Sequence, residues 1–362
     1  MPEDDRTVAA VAGPQLSVVI PTHHEEGNIE PLLSKVKAVL DTLGATYEIV
    51  IVDVGSGDAT IGRAQAMGAR AFVQGEPGYG GALRDGFRLA LGEFVVTMDA
   101  DLSHDPVFIK DMWARRNDAD MIIASRYVDG GKAEMPLFRY VLSRILNVTW
   151  SFILSLPLKD ISSGFRMYRR RILPGLKLGS RDFDILEEIV LKVYAEGYRV
   201  LEIPLAYAPR QSGRSHARLF GFAKSYARTL FSMWRLRNSL FSADYDERAF
   251  NSWIPPQRYW QRERYRIIMR MLAGTKGTTL DIGCGSSRIV QAMPKAVGLD
   301  ILLKKLRYLR KMGKPLVTGD INQLPFATAT FDTVVCSQVI EHIPIDIRIF
   351  RELARVTREA AS

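Results

Sequence analysis

Over the first half of the chain, short apolar runs alternate with segments whose apolar residues recur at helical spacing. Residues 16–20 read as a strand stopped by Pro21. Ile29, Leu32, Leu33, Val36, Val39 and Leu40 then recur along one helical face. Strands over 47–52, 69–73 and 94–98 alternate with helices over 59–67 and 83–91, with a flexible glycine loop at Gly75, Gly78, Gly80 and Gly81. That alternation predicts an α/β fold with a mostly parallel sheet covered by helices on both faces. Ligands of such open sheets bind beyond the carboxyl ends of the strands. Residues 21–25, 53–58 and 99–103 all fall there.

The third of these edges carries Asp99-Ala-Asp101. In an extended chain the two carboxylates share a parity and point to one side. Carboxylates held together repel unless a cation lies between them. Hard divalent ions take oxygen ligands and keep substrate phosphates among them. The expectation is a metal–diphosphate site; the plainer alternative is a polar turn, with Asp105-Pro106 opening a helix.

Composition adds limits. The 362 residues suffice for two domains, and 47% hydrophobic with 25% charged residues is ordinary for a globular protein. The first residues have no apolar core of a secretory signal. Two cysteines, Cys284 and Cys336, in apolar runs fit a reduced intracellular chain. No apolar stretch approaches the roughly 20 residues of a membrane span. The net charge of +9 is partly local: residues 210–237 hold Arg210, Arg214, Arg218, Lys224, Arg228, Arg235 and Arg237 and no acid. Without a nucleic-acid motif, this charge points to phosphorylated substrates or anionic lipid.

Six ordered motifs carry a resemblance. Pro21-Thr-His-His-Glu25, Val52-Asp53-Val-Gly-Ser-Gly-Asp58 and Asp99-Ala-Asp101 resemble those of family-2 glycosyltransferases. Ile123-Ala-Ser-Arg126-Tyr127, Asp160-Ile-Ser-Ser-Gly164-Phe165-Arg166 and Pro209-Arg210-Gln-Ser-Gly213 are similar to later motifs of the dolichyl-phosphate mannosyltransferase branch. Val54 and His216 depart from the pattern, standing where Asp and Lys are common. The resemblance implies a GT-A nucleotide-diphospho-sugar transferase fold. It would put Pro21, Glu25 and Asp53 at the nucleoside of a nucleotide-diphosphate sugar. Asp99, Asp101 and Ser103 would lie at Mg2+ or Mn2+ and the diphosphate. Arg126, Arg139, Ser143, Arg166 and Arg210 would face an acceptor phosphate, with Asp99, Asp101, Arg126, Arg166 and Arg210 as the catalytic set.

A phosphate monoester is already largely ionised at neutral pH, whereas a sugar hydroxyl needs a general base. Arginines are plentiful after Ser125, and the carboxylate candidates are few: Asp184, Glu187 and Glu188. This balance leans towards a polyprenyl phosphate acceptor. Apolar residues punctuated by Arg139 and Arg144 over 135–158, and a second such stretch over 219–240, suit either the membrane interface or packing within the protein. The expected location is cytoplasmic, with a peripheral seat on the inner membrane face.

Composition shifts after Tyr245. Leu280-Asp-Ile-Gly-Cys-Gly285, Gly319-Asp320-Ile321 and Phe331-Asp332 through Glu341-His342 resemble class I S-adenosylmethionine methyltransferases, a Rossmann-like fold. The resemblance implies Asp281, Gly283 and Gly285 at the methionine part of S-adenosylmethionine, Asp300 at the ribose, and Asp320 with Ile321 near adenine. The sequence ends in the helix that would precede a fifth strand, so this fold is expected to be truncated, degenerate or completed by another chain. The organisation expected is a flexible tail over 1–14, a glycosyltransferase domain over 15–216 and a basic amphipathic segment over 217–245. A linker and helix over 246–275 and a partial methyltransferase domain over 276–362 follow. The leading expectation is an inverting transfer of mannose or glucose to a polyprenyl phosphate. The alternatives are a glycan hydroxyl acceptor, a methyltransferase with a non-catalytic glycosyltransferase-like module, and a non-enzymatic scaffold.

Overall fold

The computed structural model describes residues 13–207, 223–286, 288–344 and 346–359. Most of the expected N-terminal tail, the basic loop with Arg210, and the start of the second amphipathic stretch lie outside the described residues. The chain forms two compact units: 1–191 with 200–231, and 192–199 with 232–362.

The first unit runs β1 (Leu16–Thr22), α1 (Ile29–Leu40), β2 (Tyr47–Asp53), α2 (Thr60–Ala66), β3 (Arg70–Val73), α3 (Tyr79–Leu89), β4 (Phe94–Thr97), α4 (Phe108–Ala114) and β5 (Met121–Ser125). It continues through β6 (Lys132–Ala133), α5 (Leu137–Ile153), β7 (Arg166–Arg169), a 3-10 turn (Arg170–Gly175), α6 (Ile185–Ala195), β8 (Val200–Pro204), β9 (Ala206–Tyr207) and α7 (Ala223–Arg237), the last and α6 running on into the second unit. A seven-stranded sheet has the order β3-β2-β1-β4-β7-β5-β8. It is parallel except for β7, which runs antiparallel to β4 and β5. The fully buried apolar face of α1 (Ile29, Leu32, Leu33, Val36) packs with Val18, Ile20, Ile51 and Val96 of the sheet, as its spacing predicts.

Three local expectations are corrected. Pro21 does not stop β1, which pairs with β2 through Thr22. Pairing with β4 ends at Val19, so the missing N–H of Pro21 breaks no ladder on that side. Secondly, α3 begins at Tyr79, with Gly80 and Gly81 in its first turn rather than in a loop. A Cβ there would lie 2.3 Å from the Ser180 carbonyl oxygen and 2.0 Å from that of Glu76, so contact with neighbouring backbone outweighs glycine's poor helix propensity. Lastly, β4 ends at Thr97, before the acidic pair. The chain then turns, with Leu102 at φ 61°, and the parity argument lapses.

The second unit contains α8 (Tyr245–Phe250), α9 (Pro255–Met271), β10 (Thr279–Ile282), α10 (Ile289–Ala292), β11 (Ala296–Asp300), α11 (Leu303–Leu309), β12 (Leu316–Thr318), β13 (Thr333–Cys336) and α12 (Ile347–Val356). Pro255, read from sequence as a linker residue, opens α9, where its missing N–H is one of the helix's unsatisfied donors anyway. The parallel sheet has the order β12-β11-β10-β13, with β13 at one edge.

Candidate active site

The loops after β1, β2 and β4 lie at the carboxyl edge of the first sheet. Asp53, at the end of β2, is buried and accepts hydrogen bonds from Thr22 Oγ1 (2.8 Å), the amides of Gly55 (2.8 Å) and Ser56 (2.7 Å), and Ser56 Oγ (3.0 Å). It therefore shapes the turn at the end of β2. Half-buried Glu25 accepts from Asn28 Nδ2 (2.6 Å), while its amide donates to Thr60 Oγ1 (3.1 Å). Pro21 is half-buried in the same edge.

The two acids after β4 differ. Asp99 is partly open, its side chain 30% exposed. Tyr79 donates to its Oδ1 (3.0 Å), and its backbone N–H donates to His104 Nδ1 (3.1 Å). Asp101 is buried, and its Oδ1 accepts from the amide (3.1 Å) and hydroxyl of Ser103. Ser103 is itself fully buried, with its hydroxyl turned to Asp101. Among the described residues, no group of three or more His, Cys, Asp or Glu side chains could hold a metal ion. Two carboxylates at a loop fit a hard cation whose other ligands are water and diphosphate oxygens.

Arg126 and Arg166 both have protein partners. Arg126 grips Asp160 through Nε (2.8 Å) and Nη2 (2.7 Å) and donates to Ser162 Oγ (2.9 Å). Burial pushes the Asp160 carboxyl up, but the charge and hydrogen bonds of Arg126 more than reverse this and leave it below its usual range. Arg166 is fully buried and donates to the carbonyl oxygens of Leu186 (2.7 Å) and Ile161 (2.6 Å). Its place on β7 turns the guanidinium into the protein. Arg210 lies outside the described residues.

From Arg126 a polar chain runs to α5. Asn147 donates to Ser162 Oγ (2.9 Å) and to the Ser143 carbonyl (2.8 Å), and Tyr127 donates to Ser143 Oγ (2.7 Å). Arg144 lies over the Tyr127 ring at 4.7 Å. Arg139 is exposed. The inner face of α5 is thus polar, with Asn147 and Ser151 buried beside Trp150. Its outer face is apolar: Leu137, Phe138, Ile145, Val148 and Phe152 are all exposed.

The three carboxylates that sequence singled out as possible bases are all buried. Asp184 accepts from Ser225 Oγ (2.9 Å) and Thr229 Oγ1 (2.7 Å). Glu188 accepts from the amides of Gly179 and Ser180. Among the described residues, no other residue hydrogen-bonds either carboxylate oxygen of Glu187, and burial pushes its carboxyl up to about 8. Sequence reasoning gave no role to Tyr79, His104, Asp160 or Asn147. Asp160 stood inside a quoted motif; Tyr79 carried no signal beyond its glycine neighbours.

In the second unit, Asp300 accepts from the amides of Gly285 (2.8 Å) and Leu302 (2.8 Å), which fixes it beside the glycine turn. Asp246, from α8, accepts from the amide (2.9 Å) and hydroxyl (3.0 Å) of Ser286, with Lys305 Nζ at 3.3 Å. A Cβ on Gly285 would lie 2.5 Å from Asp246 Oδ2, and one on Gly283 2.2 Å from Val339 Cγ2. The open side of this turn is therefore lined closely by the unit's own side chains. Asp281 and Ile321 are buried, and exposed Asp320 accepts from the amide of Asn322 (2.9 Å).

Similarity to known proteins follows the same division. Residues 17–176 match the family model Glycosyl transferase family 2, and residues 280–361 match Methyltransferase domain. The dolichol-phosphate mannosyltransferase of Pyrococcus furiosus is 37% identical over 56% of this chain and 58% of its own length. The polyprenol monophosphomannose synthase of Mycolicibacterium smegmatis is 31% identical over 55% of this chain and 79% of its own. The chain thus spans little more than half of the first relative. Glucosyl-3-phosphoglycerate synthase from Mycobacterium tuberculosis, solved with Mn2+ and uridine diphosphate, shares the fold at a TM-score of 0.51 and 20% identity, covering 62% of this chain and 81% of that one. The acidic loop at the carboxyl edge of a GT-A sheet and these matches converge: this chain is an enzyme that belongs to glycosyl transferase family 2, with a methyltransferase domain following it in sequence.

Proposed function

We propose that the first unit transfers a hexose, mannose or glucose, from a nucleotide-diphosphate sugar to a polyprenyl phosphate, inverting the anomeric carbon. The observation that carries this reading is α5. Its polar face joins Ser143 to the Arg126–Asp160 pair, while its apolar face is open beside Arg139. An acceptor with a phosphate head and a long apolar tail suits both faces. The mannosyltransferase and monophosphomannose synthase names of the two relatives support the same class.

In this account Pro21, Glu25 and the turn shaped by Asp53 seat the nucleoside. Asp99 and Asp101 would hold Mg2+ or Mn2+, which when bound neutralises charge on the leaving diphosphate. An acceptor phosphate oxygen attacks the anomeric carbon as the bond to the diphosphate breaks. Arg139 and Ser143 orient that phosphate, and the Arg126–Asp160 pair fixes the loop beside them. Arg210 is kept as a phosphate contact on its motif alone. No base is required, which accords with the burial of Asp184, Glu187 and Glu188.

No helix among the described residues is long and apolar enough to cross a membrane. The exposed apolar side chains of α5, with Arg139 among them, would lie against an anionic lipid surface. For the second unit, we propose S-adenosylmethionine at the β10–β11 edge, with the methionine part at Asp281, Gly283 and Gly285, the ribose at Asp300 and adenine near Asp320 and Ile321. The test of the main proposal is transfer of label from GDP-mannose or UDP-glucose to undecaprenyl phosphate with Mg2+. Label in the organic phase is the expected result; label in water-soluble glycan favours the hydroxyl acceptor.

A further inference from the structure

Asp99 is oriented by a residue outside the acidic motif. Tyr79 opens α3, and its hydroxyl donates to Asp99 Oδ1 at 3.0 Å. Its ring stacks on Phe183, with centroids 4.5 Å apart and planes 23° from parallel. Glycines clear its path. A Cβ on Gly78 would lie 2.3 Å from the Arg181 carbonyl oxygen, and the Gly80 amide donates to that oxygen at 2.7 Å. A Cβ on Gly164 would sit 3.1 Å from the Tyr79 hydroxyl and 3.3 Å from Asp99 Oδ1. Tyr79 is thereby fixed by the backbone of one segment and the ring of another.

The other side of Asp99 faces His104. Because His104 Nδ1 accepts the Asp99 amide proton, a neutral ring carries its hydrogen on Nε2, which lies 3.9 Å from Asp99 Oδ2. The imidazole stacks on Phe165. Asp99 thus takes its carboxylate hydrogen bond from the Tyr79 phenol, and its backbone amide is tied to His104. Asp160, by contrast, is neutralised by an arginine. A phenol donor fixes the rotation of a carboxylate and leaves its charge to act on a cation.

We infer that Tyr79 is a positioning residue that orients Asp99 towards the divalent cation and donor diphosphate. This rests on the donor-site reading of Asp99 proposed above. Tyr79→Phe keeps the stacked ring and deletes only the hydroxyl. A hydrogen bond to a charged group contributes enough that its loss should weaken Mn2+ binding about tenfold.

The experiment is Mn2+ titration of the full chain, followed by electron paramagnetic resonance, with GDP or UDP present. Wild type, Tyr79→Phe, Phe183→Leu and Asp99→Asn are compared, with thermal unfolding of each as the check on folding. The expected order is tight binding by wild type, about tenfold weaker binding by Tyr79→Phe at a similar unfolding temperature, and lost binding by Asp99→Asn. Phe183→Leu, which keeps the hydroxyl, should bind more tightly than Tyr79→Phe. Wild-type affinity in Tyr79→Phe with loss in Asp99→Asn overturns the positioning role alone. Wild-type affinity in Asp99→Asn overturns the donor-site reading and this inference with it.

Discussion

Replacing Arg126 with Met separates a structural arginine from a phosphate-binding one. The guanidinium donates at 2.8 and 2.7 Å to Asp160, whose side chain has no exposure, and at 2.9 Å to Ser162. Without it, Asp160 keeps the Arg126 backbone amide (2.9 Å) and the Ser162 hydroxyl (3.3 Å) but faces no cation on that side. Removing one partner of a buried ion pair typically costs about 3–5 kcal/mol. For a domain of this size, that lowers the unfolding midpoint by roughly 6–20 °C. The pH dependence should change too. The folded Asp160 carboxyl titrates below its unfolded value, so its stabilisation is present above the unfolded pKa and is lost as pH falls through the folded one. Arg126→Met should lack that acid-side loss. Asp160→Leu added to Arg126→Met removes the stranded charge and should recover most of the midpoint. The assay is calorimetry of the full chain from about pH 2 to pH 8, which spans the fall through the folded Asp160 pKa. A midpoint change under about 2 °C in Arg126→Met would refute the reasoning, showing that the arginine is not holding the fold and is available to a ligand.

Two further outcomes are expected. The folded Glu187 carboxyl titrates at about 8, above its unfolded value, so the native state binds the extra proton between roughly pH 4.5 and 8 and stability falls as pH rises through that window. Glu187→Gln should flatten the denaturant midpoint across that range and make the protein more stable than wild type at pH 8; an unchanged slope counts against a buried neutral acid. Anionic liposomes should sediment the protein, less so at high salt, and Phe138→Ser with Phe152→Ser on the exposed side of α5 should weaken sedimentation several-fold. Equal sedimentation of that variant would remove α5 from the membrane contact.

Much of the first unit was legible because its signals are local. The helical period of residues 29–40 and the apolar runs ending at Asp53 and near Asp99 each place an element and an edge loop. What escaped was set by distant contacts. Gly80 and Gly81 read as loop because nothing nearby reveals the Ser180 carbonyl and the Glu76 backbone packed against them. The protein partners of Arg126 and Arg166 also escaped, because charge alone does not reveal what a guanidinium meets. The first meets Asp160, 34 positions on, and the second meets the Ile161 and Leu186 carbonyls. Equal display of Asp99 and Asp101 failed because β4 stops two residues short of the pair. On α5 the apolar residues marked an amphipathic helix, but which face was buried depended on the polar chain through Asn147.

The central claim is that an acceptor phosphate attacks the donor sugar without a protein base. Labelled GDP-mannose or UDP-glucose with Mg2+, offered side by side to undecaprenyl phosphate and to undecaprenol, tests it most directly. The account predicts organic-phase label with the phosphate, almost none with the alcohol, and none with Asp101→Asn or EDTA. Equal label on the alcohol, or label undiminished by Asp101→Asn, would contradict it.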